Sequence, residues 1–248
     1  KILNLDAMEL EFVRSINISK EAAPIVRKEA QLNNVALTCH APYFINLNSD
    51  DNAKLAASRQ RITQSAKIAY LCGCYSVTFH AAFYQKREKE KTYARVKENI
   101  KIILRELKDK DIRITIRPEL TGKPSQFGDL NELIKISSEF ENVLPCIDFA
   151  HLHAREGKFN SYDEFSFVLE EIEKRFGNNA LNNMHIHLAG INYSIKGERN
   201  HLNLKDSDMN YKDLIMAFKD FKIKGVVISE SPNIEQDAML LKNMFYKK

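Results

Sequence analysis

The chain has 248 residues, of which 44% are hydrophobic and 28% are charged, and its formal net charge is +4. This length suffices for one well-buried core, so we expect a single domain over residues 1–248. No apolar run approaches the roughly 20 residues of a membrane helix, and the first ten residues lack the apolar core of a secretory signal. We therefore expect a cytoplasmic monomer with no membrane partner, whose mild positive charge permits nucleic-acid binding without indicating it.

Short apolar runs of strand length alternate with amphipathic helical stretches, which is typical of repeated βα units. The predicted strands span residues 7–13, 35–40, 76–80, 112–119, 143–148, 184–188 and 225–230. The predicted helices lie at 19–32, 52–71, 91–107, 130–136, 165–172 and 234–245, and a long loop is expected after the sixth strand.

The spacing of these units predicts an α/β fold, a (β/α)8 TIM barrel. Most strand starts fall roughly 30 to 40 residues apart, the length of one βα unit, and no glycine- or proline-rich linker divides them. Only seven units are visible, so we expect the first strand to lie before Lys1. A doubly wound open sheet is the alternative, but it does not explain the polar residues at the strand ends.

The four cysteines do not form a disulfide framework, because their spacings repeat no pattern and a chain of this size needs no cross-links. We expect Cys39, Cys72, Cys74 and Cys146 to be small core residues.

Six of the seven predicted strands end in a histidine or an acid: His40, His80, Glu119, Asp148, His187 and Glu230. Such ends meet at one face of a barrel, where active sites lie. Imidazole and carboxylate ligands together suit zinc, with manganese or iron possible. A single histidine or acid at a strand end is usually solvated or caps a helix, so the prediction of a metal site depends on six strands sharing the feature.

Four segments resemble the endonuclease IV family of abasic-site endonucleases. HAPYFINL, beginning at His40, resembles the HxxYxINL signature, and PCIDFAH, ending at His151, resembles the CIDTCH segment. TFH at residues 78–80 and ISESP at 228–232 resemble the FHPG and ILET segments. The resemblance implies a (β/α)8 barrel with three zinc ions that hydrolyses the phosphodiester 5′ to an abasic site in DNA.

The resemblance also implies a role for each candidate ligand. His40 and His80 would bind one zinc, and Glu119 would bridge it to a second. The second site would be completed by Asp148, His187 and Glu230, and the third zinc would be held by His151 and His201. Glu119 and Glu230 are the expected catalytic residues. Two or three clustered zinc ions, or manganese, would lower the pKa of a bridging water and supply hydroxide at neutral pH.

DNA with an abasic site is the partner that the resemblance implies. Tyr43 would approach the lesion with Phe44 beside it, since an aromatic side chain can fill the gap left by a flipped nucleotide. Both rings could instead pack into the barrel mouth, which is the favoured interpretation for Phe44. Basic loop residues either contact phosphates or are simply solvated: Lys123, Arg155, Lys158, Lys196 and Arg199.

Two positions depart from the family's pattern. Strand periodicity places His185 on the same side as His187, so His185 is a rival ligand, although His187 lies nearer the strand end. The family supplies the third zinc with a DxH pair, and Arg199 stands where the aspartate is expected. Glu198 could replace it only if the loop is reshaped, so a two-metal or altered third site is an alternative.

Two other functions remain open. A sugar isomerase or epimerase would use one metal at Glu119, Asp148, His187 and Glu230. A lesion-binding protein with decayed nuclease activity would keep the fold without catalysis. The histidines that a single metal does not require discriminate between these functions: His40, His80, His151 and His201. His153, in contrast, is expected to be a loop residue.

Overall fold

The computed structural model describes residues 2–247, which form two compact units. The first unit contains residues 6–119 and 125–145, and the second contains residues 2–5, 120–124 and 146–247. Parallel strands alternate with helices in each unit. The predicted βα repeat is therefore confirmed in both.

The first unit contains β1 (Ala7–Glu11), α1 (Ala23–Leu32), β2 (Ala36–His40), α2 (Asn52–Cys72), β3 (Ser76–Phe79), β4 (Ala82–Phe83), α3 (Lys89–Asp109), β5 (Thr115–Pro118), β6 (Gln126–Phe127) and α4 (Leu130–Ser137). The strand order of its main sheet is β1-β2-β3-β5, and every pair is parallel. β4 and β6 form a separate antiparallel pair. The carboxyl ends of β2, β3 and β5 are therefore neighbours.

Helix boundaries in the first unit follow from capping. α2 begins where the Asp51 carboxylate accepts hydrogen bonds from the N–H groups of Ala53 and Lys54, at 2.9 and 3.1 Å. It ends at Gly73, whose φ of 76° is the left-handed conformation that glycine adopts readily. α4 begins with a capping box between Asp129 and Glu132. The predicted apolar face of α3 is fully buried along Val96, Ile100, Ile103 and Leu107.

The second unit contains β7 (Ile147–Asp148), α5 (Phe149–Glu156), α6 (Tyr162–Phe176), α7 (Asn178–Leu181), β8 (Met184–Leu188), β9 (Gly190–Ser194), β10 (Gly197–Leu202), a 3-10 turn (Leu204–Asp206), α8 (Tyr211–Asp220), β11 (Gly225–Ser229) and α9 (Glu235–Tyr246). β7, β8 and β11 form a parallel sheet with β8 in the centre. β9 and β10 form an antiparallel hairpin.

Two predictions for the second unit are wrong. The expected long loop after the sixth strand contains the β9–β10 hairpin and the helix α8. His153 is not a loop residue, because α5 begins directly after Asp148 and the His153 side chain is buried on it. Every residue of α5 from Phe149 to Arg155 is buried. A helix buried all round lacks the one-sided apolar pattern by which helices are recognised in a sequence.

The described cysteines are all free and buried, which confirms the core prediction. Burial raises the pKa of the Cys39 and Cys74 thiols well above their ordinary range, so neither is a ready nucleophile at neutral pH. Among the helices of residues 2–247, none is both long enough and apolar enough to cross a membrane.

Candidate metal centres

The first unit brings together His40, His80 and Glu119, which we call the His40 centre. His40 is the last residue of β2, whereas His80 and Glu119 directly follow β3 and β5. The Glu119 carboxylate contacts both imidazoles: Oε2 lies 3.1 Å from His40 Nε2, and Oε1 lies 3.2 Å from His80 Nε2. These three strand ends therefore place two imidazoles around one buried carboxylate.

The environment of His40 favours the charged imidazole. Burial by itself lowers the pKa of His40, but the hydrogen bond and negative charge of Glu119 outweigh it and raise the pKa from 6.5 to about 10. The other ring nitrogen, Nδ1, donates to the carbonyl oxygen of Ala41 at 2.7 Å. The Nε2 atom therefore faces the carboxylate, in a position where a cation could replace its proton.

The second unit brings the ends of β7, β8 and β11 together. Asp148 pairs in register with His187, which also pairs with Ile228 on its other side. His187 Nδ1 lies 3.3 Å from Oε1 of Glu230, the residue that follows β11. His185 lies two residues deeper on β8, with its ring centroid 5.0 Å from that of His187. His187 therefore makes a carboxylate contact at the strand ends, as the position nearer the strand end predicts.

α5 carries a further histidine to this group. The Asp148 carboxylate caps α5 by accepting from the backbone N–H of His151 at 2.7 Å, and its other oxygen lies 3.1 Å from His151 Nδ1. His201 on β10 places its Nε2 atom 3.3 Å from His151 Nε2. Burial lowers the pKa of His201, and the nearby His151 charge lowers it further. The two rings, 50 residues apart in sequence, form what we call the His151–His201 pair.

Both groups have the donor chemistry of a metal site. In the His40 centre, one ligand atom from each of the three residues lies within 4.8 Å of the others. The same holds for Asp148, His151, His201 and Glu230 in the second unit. Imidazole nitrogen with carboxylate oxygen is a common donor set for zinc. The residues present therefore fit the metal that the sequence predicts.

Sequence reasoning did not select Cys146 as a site residue, although its Sγ atom lies within 4.8 Å of ring nitrogens of His185 and His187. All three side chains are fully buried. The sequence does contain a signal for Cys146. It lies two residues before the candidate ligand Asp148, and alternate residues of a strand share a face.

Two predictions about the DNA-facing residues are wrong. Phe44 does not pack inside, because 61% of its surface is exposed. Arg155 is not available for phosphate, since its buried guanidinium donates to Thr121 O, Thr121 Oγ1 and Lys123 O at 3.1, 2.9 and 2.6 Å. Tyr43 and Arg199 are exposed, as DNA contact requires. The Tyr43 ring lies 6.0 Å from that of His40.

The fold and the donor groups are those of an α/β protein with candidate metal centres. Residues 1–244 match the model of the Xylose isomerase-like TIM barrel family, and the chain belongs to that family. The (β/α)8 prediction is thereby confirmed.

Two relatives are similar to most of the chain. The chain is 45% identical over 240 residues to an uncharacterized protein of Methanocaldococcus jannaschii, covering 96% of this chain and 86% of the relative. It is 24% identical over 211 residues to the probable endonuclease 4 of Mycoplasma pneumoniae, covering 83% and 71%. The second similarity agrees with the resemblance to endonuclease IV that the motifs indicate.

Solved structures of two kinds are similar in fold. A D-tagatose 3-epimerase-like protein has a TM-score of 0.76 and 17% identity, covering 97% of this chain and 87% of that one. Endonuclease IV from Thermus thermophilus has a TM-score of 0.71 and 18% identity, covering 98% and 90%. At such identities the likeness shows the fold alone.

Proposed function

We propose that the protein is a metal-dependent endonuclease that hydrolyses the phosphodiester 5′ to abasic sites in DNA, a reaction of base-excision repair. The observation that carries the proposal is the His40 centre, in which Glu119 contacts both His40 and His80. A one-metal sugar enzyme does not require these two histidines. The similarity to proteins named endonuclease 4 supports the same choice.

Zinc ions, when bound, act as Lewis acids toward a phosphate and lower the pKa of water. The protein's own contribution is to hold the ligand atoms in place. Glu119 contacts the two imidazoles of the His40 centre, and the Ala41 carbonyl fixes the orientation of the His40 ring. The bridging role of Glu119 and the catalytic role of Glu230 stay predictions from the resemblance.

Exposed side chains support DNA as the substrate. Tyr43 and Phe44 are 55% and 61% exposed, and the loop that holds them is fixed by Arg61, whose guanidinium donates to Phe44 O at 2.8 Å. A flat ring beside a metal centre can stack on a base or fill the gap left by a flipped nucleotide. Arg199, exposed on β10, would contact a phosphate.

The alternative is a single-metal sugar isomerase or epimerase. The epimerase-like neighbour favours it by fold, but its 17% identity carries no functional information. A lesion-binding protein without nuclease activity is distinguished from both by the absence of turnover.

The single-domain organisation, the monomeric state and the cytoplasmic location stay predictions.

Replacing Glu119 by Gln tests the proposal. The substitution keeps the size of the side chain but removes the charge between the two imidazoles, so nicking of a duplex with one abasic site should fall by about 100-fold or more. The measurement is the initial rate of strand cleavage on a denaturing gel. Glu98→Gln, an exposed change on α3 in the same unit, is the matched control and should keep the wild-type rate.

Near-normal nicking by Glu119→Gln would remove Glu119 from the reaction. If the wild-type protein leaves the duplex intact and instead epimerises or isomerises a ketose with a single metal, the endonuclease proposal is wrong.

A further inference from the structure

The ring nitrogens of the His151–His201 pair have an arrangement that can hold a cation. His151 Nδ1 lies 3.0 Å from the carbonyl oxygen of Leu120, and His201 Nδ1 lies 3.2 Å from that of Glu230. A carbonyl only accepts, so these contacts assign the proton of each ring to Nδ1. This leaves the two Nε2 atoms facing each other at 3.3 Å. Two ring nitrogens at this distance are joined either by one shared proton or by a cation that accepts a lone pair from each.

A carboxylate on β10 is directed at His151, one member of the pair. Glu198 Oε2 lies 3.6 Å from His151 Nε2, and the Glu198 side chain is only 18% exposed. Zinc with tetrahedral bonds of 2.0–2.1 Å holds its ligand atoms roughly 3.3 Å apart. The separations of 3.3 and 3.6 Å from His151 Nε2 are close to that spacing. Two imidazoles and one carboxylate are also a known zinc donor set that leaves a fourth position open.

A β-bulge explains how Glu198 reaches this position. In a regular strand, residues three apart point to opposite faces, so Glu198 and His201 would be separated. The pairing of β9 with β10 joins Glu198 to Tyr193 and Asn200 to Asn192, which leaves Arg199 as an extra residue. The bulge restores a common face for Glu198 and His201 and leaves Arg199 exposed. The loop is thus reshaped in the way that a replacement acid requires.

The space for the Glu198 carboxylate depends on Gly122. A Cβ atom at position 122 would lie 2.6 Å from Glu198 Cβ, 2.9 Å from Glu198 Oε2 and 3.0 Å from His151 Cδ2. The backbone N–H of Glu198 also donates to Gly122 O at 2.8 Å. Gly122 therefore both anchors Glu198 and leaves its carboxylate room beside His151.

We infer that Glu198 is a metal ligand, which with His151 and His201 forms a two-histidine, one-carboxylate site for zinc. The acid that Arg199 displaces from the family's DxH pair is supplied by the preceding residue through the bulge. The inference extends the proposed endonuclease function by completing a zinc site, and it rests on that function only for what the bound zinc does to DNA.

Zinc binding to the Glu198→Gln protein tests the inference. Because one charged ligand is lost, the Glu198→Gln protein should retain one equivalent of zinc fewer after dialysis, and the affinity of that equivalent should fall by about 10- to 100-fold. The measurement is a zinc titration against a chromophoric chelator, with total zinc counted by elemental analysis. Glu170→Gln, an exposed change on α6, is the control and should bind zinc as the wild type does.

A second variant and a second readout keep the test decisive. Gly122→Ala should lower the same affinity, since its Cβ displaces the carboxylate, and it decides the matter if Glu198→Gln does not fold. Added zinc should also move the Nε2 resonances of both histidines in a ¹⁵N spectrum of the wild-type protein. Wild-type stoichiometry and affinity in the folded variants, or unmoved resonances, would overturn the inference.

The two proposals can fail separately. Loss of one zinc from Glu198→Gln without any wild-type nicking of abasic DNA leaves the ligand assignment intact and rejects the endonuclease. If the wild-type protein nicks abasic DNA but the Glu198→Gln protein binds zinc as the wild type does, the endonuclease proposal stands and the ligand assignment is rejected.

Discussion

At the scale of single residues, backbone carbonyls fix the ring orientations of three candidate ligands. The Nδ1 atoms of His40, His151 and His201 each contact a carbonyl oxygen, at 2.7, 3.0 and 3.2 Å. Each contact leaves the Nε2 atom directed at the neighbouring carboxylate or imidazole. A metal ligand held in this way loses little conformational freedom on binding, because its ring orientation is already fixed.

Tyr43 provides the test of the DNA-facing residues. Tyr43→Ala removes an exposed ring beside the His40 centre, and loss of one stacking contact weakens binding of single nucleotides by about 1 to 3 kcal/mol, or roughly 5- to 150-fold. We expect the weaker binding to appear as a higher KM for abasic DNA, with a smaller effect on kcat. Steady-state cleavage measures both.

Two further variants serve as controls for Tyr43→Ala. Tyr43→Phe keeps the ring and should stay within a few-fold of the wild type, whereas Tyr70→Ala on α2 controls for loss of an exposed tyrosine elsewhere. An unchanged KM in Tyr43→Ala would mean that this ring does not contact DNA.

At the scale of elements, the strands could be predicted from the sequence but the surroundings of the histidines could not. Each parallel strand is a short apolar run that ends in a polar residue, and this pattern is local. The contact between His151 and His201 joins α5 to β10, and neither element has a local signature. α5 is buried all round, and the β-bulge at Arg199 breaks the alternation by which a hairpin strand is recognised.

Arg155 tests how α5 is fixed to the segment that carries Gly122. Its guanidinium hydrogen bonds satisfy the oxygens of Thr121 and Lys123. Arg155→Met keeps much of the side-chain volume but leaves buried acceptors unsatisfied, so the free energy of unfolding should fall by about 1 to 3 kcal/mol. Chemical denaturation measures this loss.

The exposed Lys212→Met change on α8 is the control, and its effect should remain within about 0.5 kcal/mol. Equal stability of the Arg155→Met and Lys212→Met proteins would show that these hydrogen bonds do not secure the segment.

At the scale of the whole molecule, the repeat of βα units and the polar strand ends predict the barrel fold, and the four motif segments predict the family. Only seven parallel strands pair within residues 2–247, as the seven predicted units indicate. The assignment of particular ligands needed the three-dimensional contacts. Glu198 illustrates the reason: in the linear sequence it is out of step with His201, and only an extra residue in the hairpin brings the two side chains to one face.

The central claim is that zinc held by these residues enables cleavage of DNA at abasic sites. The most direct measurement follows a duplex with a single abasic site, incubated with the zinc-loaded protein, with the protein stripped by a chelator, and with the stripped protein after zinc is restored. We predict one cut 5′ to the lesion that leaves a 3′-hydroxyl, is lost on stripping and returns with zinc. An intact duplex with the zinc-loaded protein, or cleavage that persists undiminished after complete metal removal, would contradict the claim.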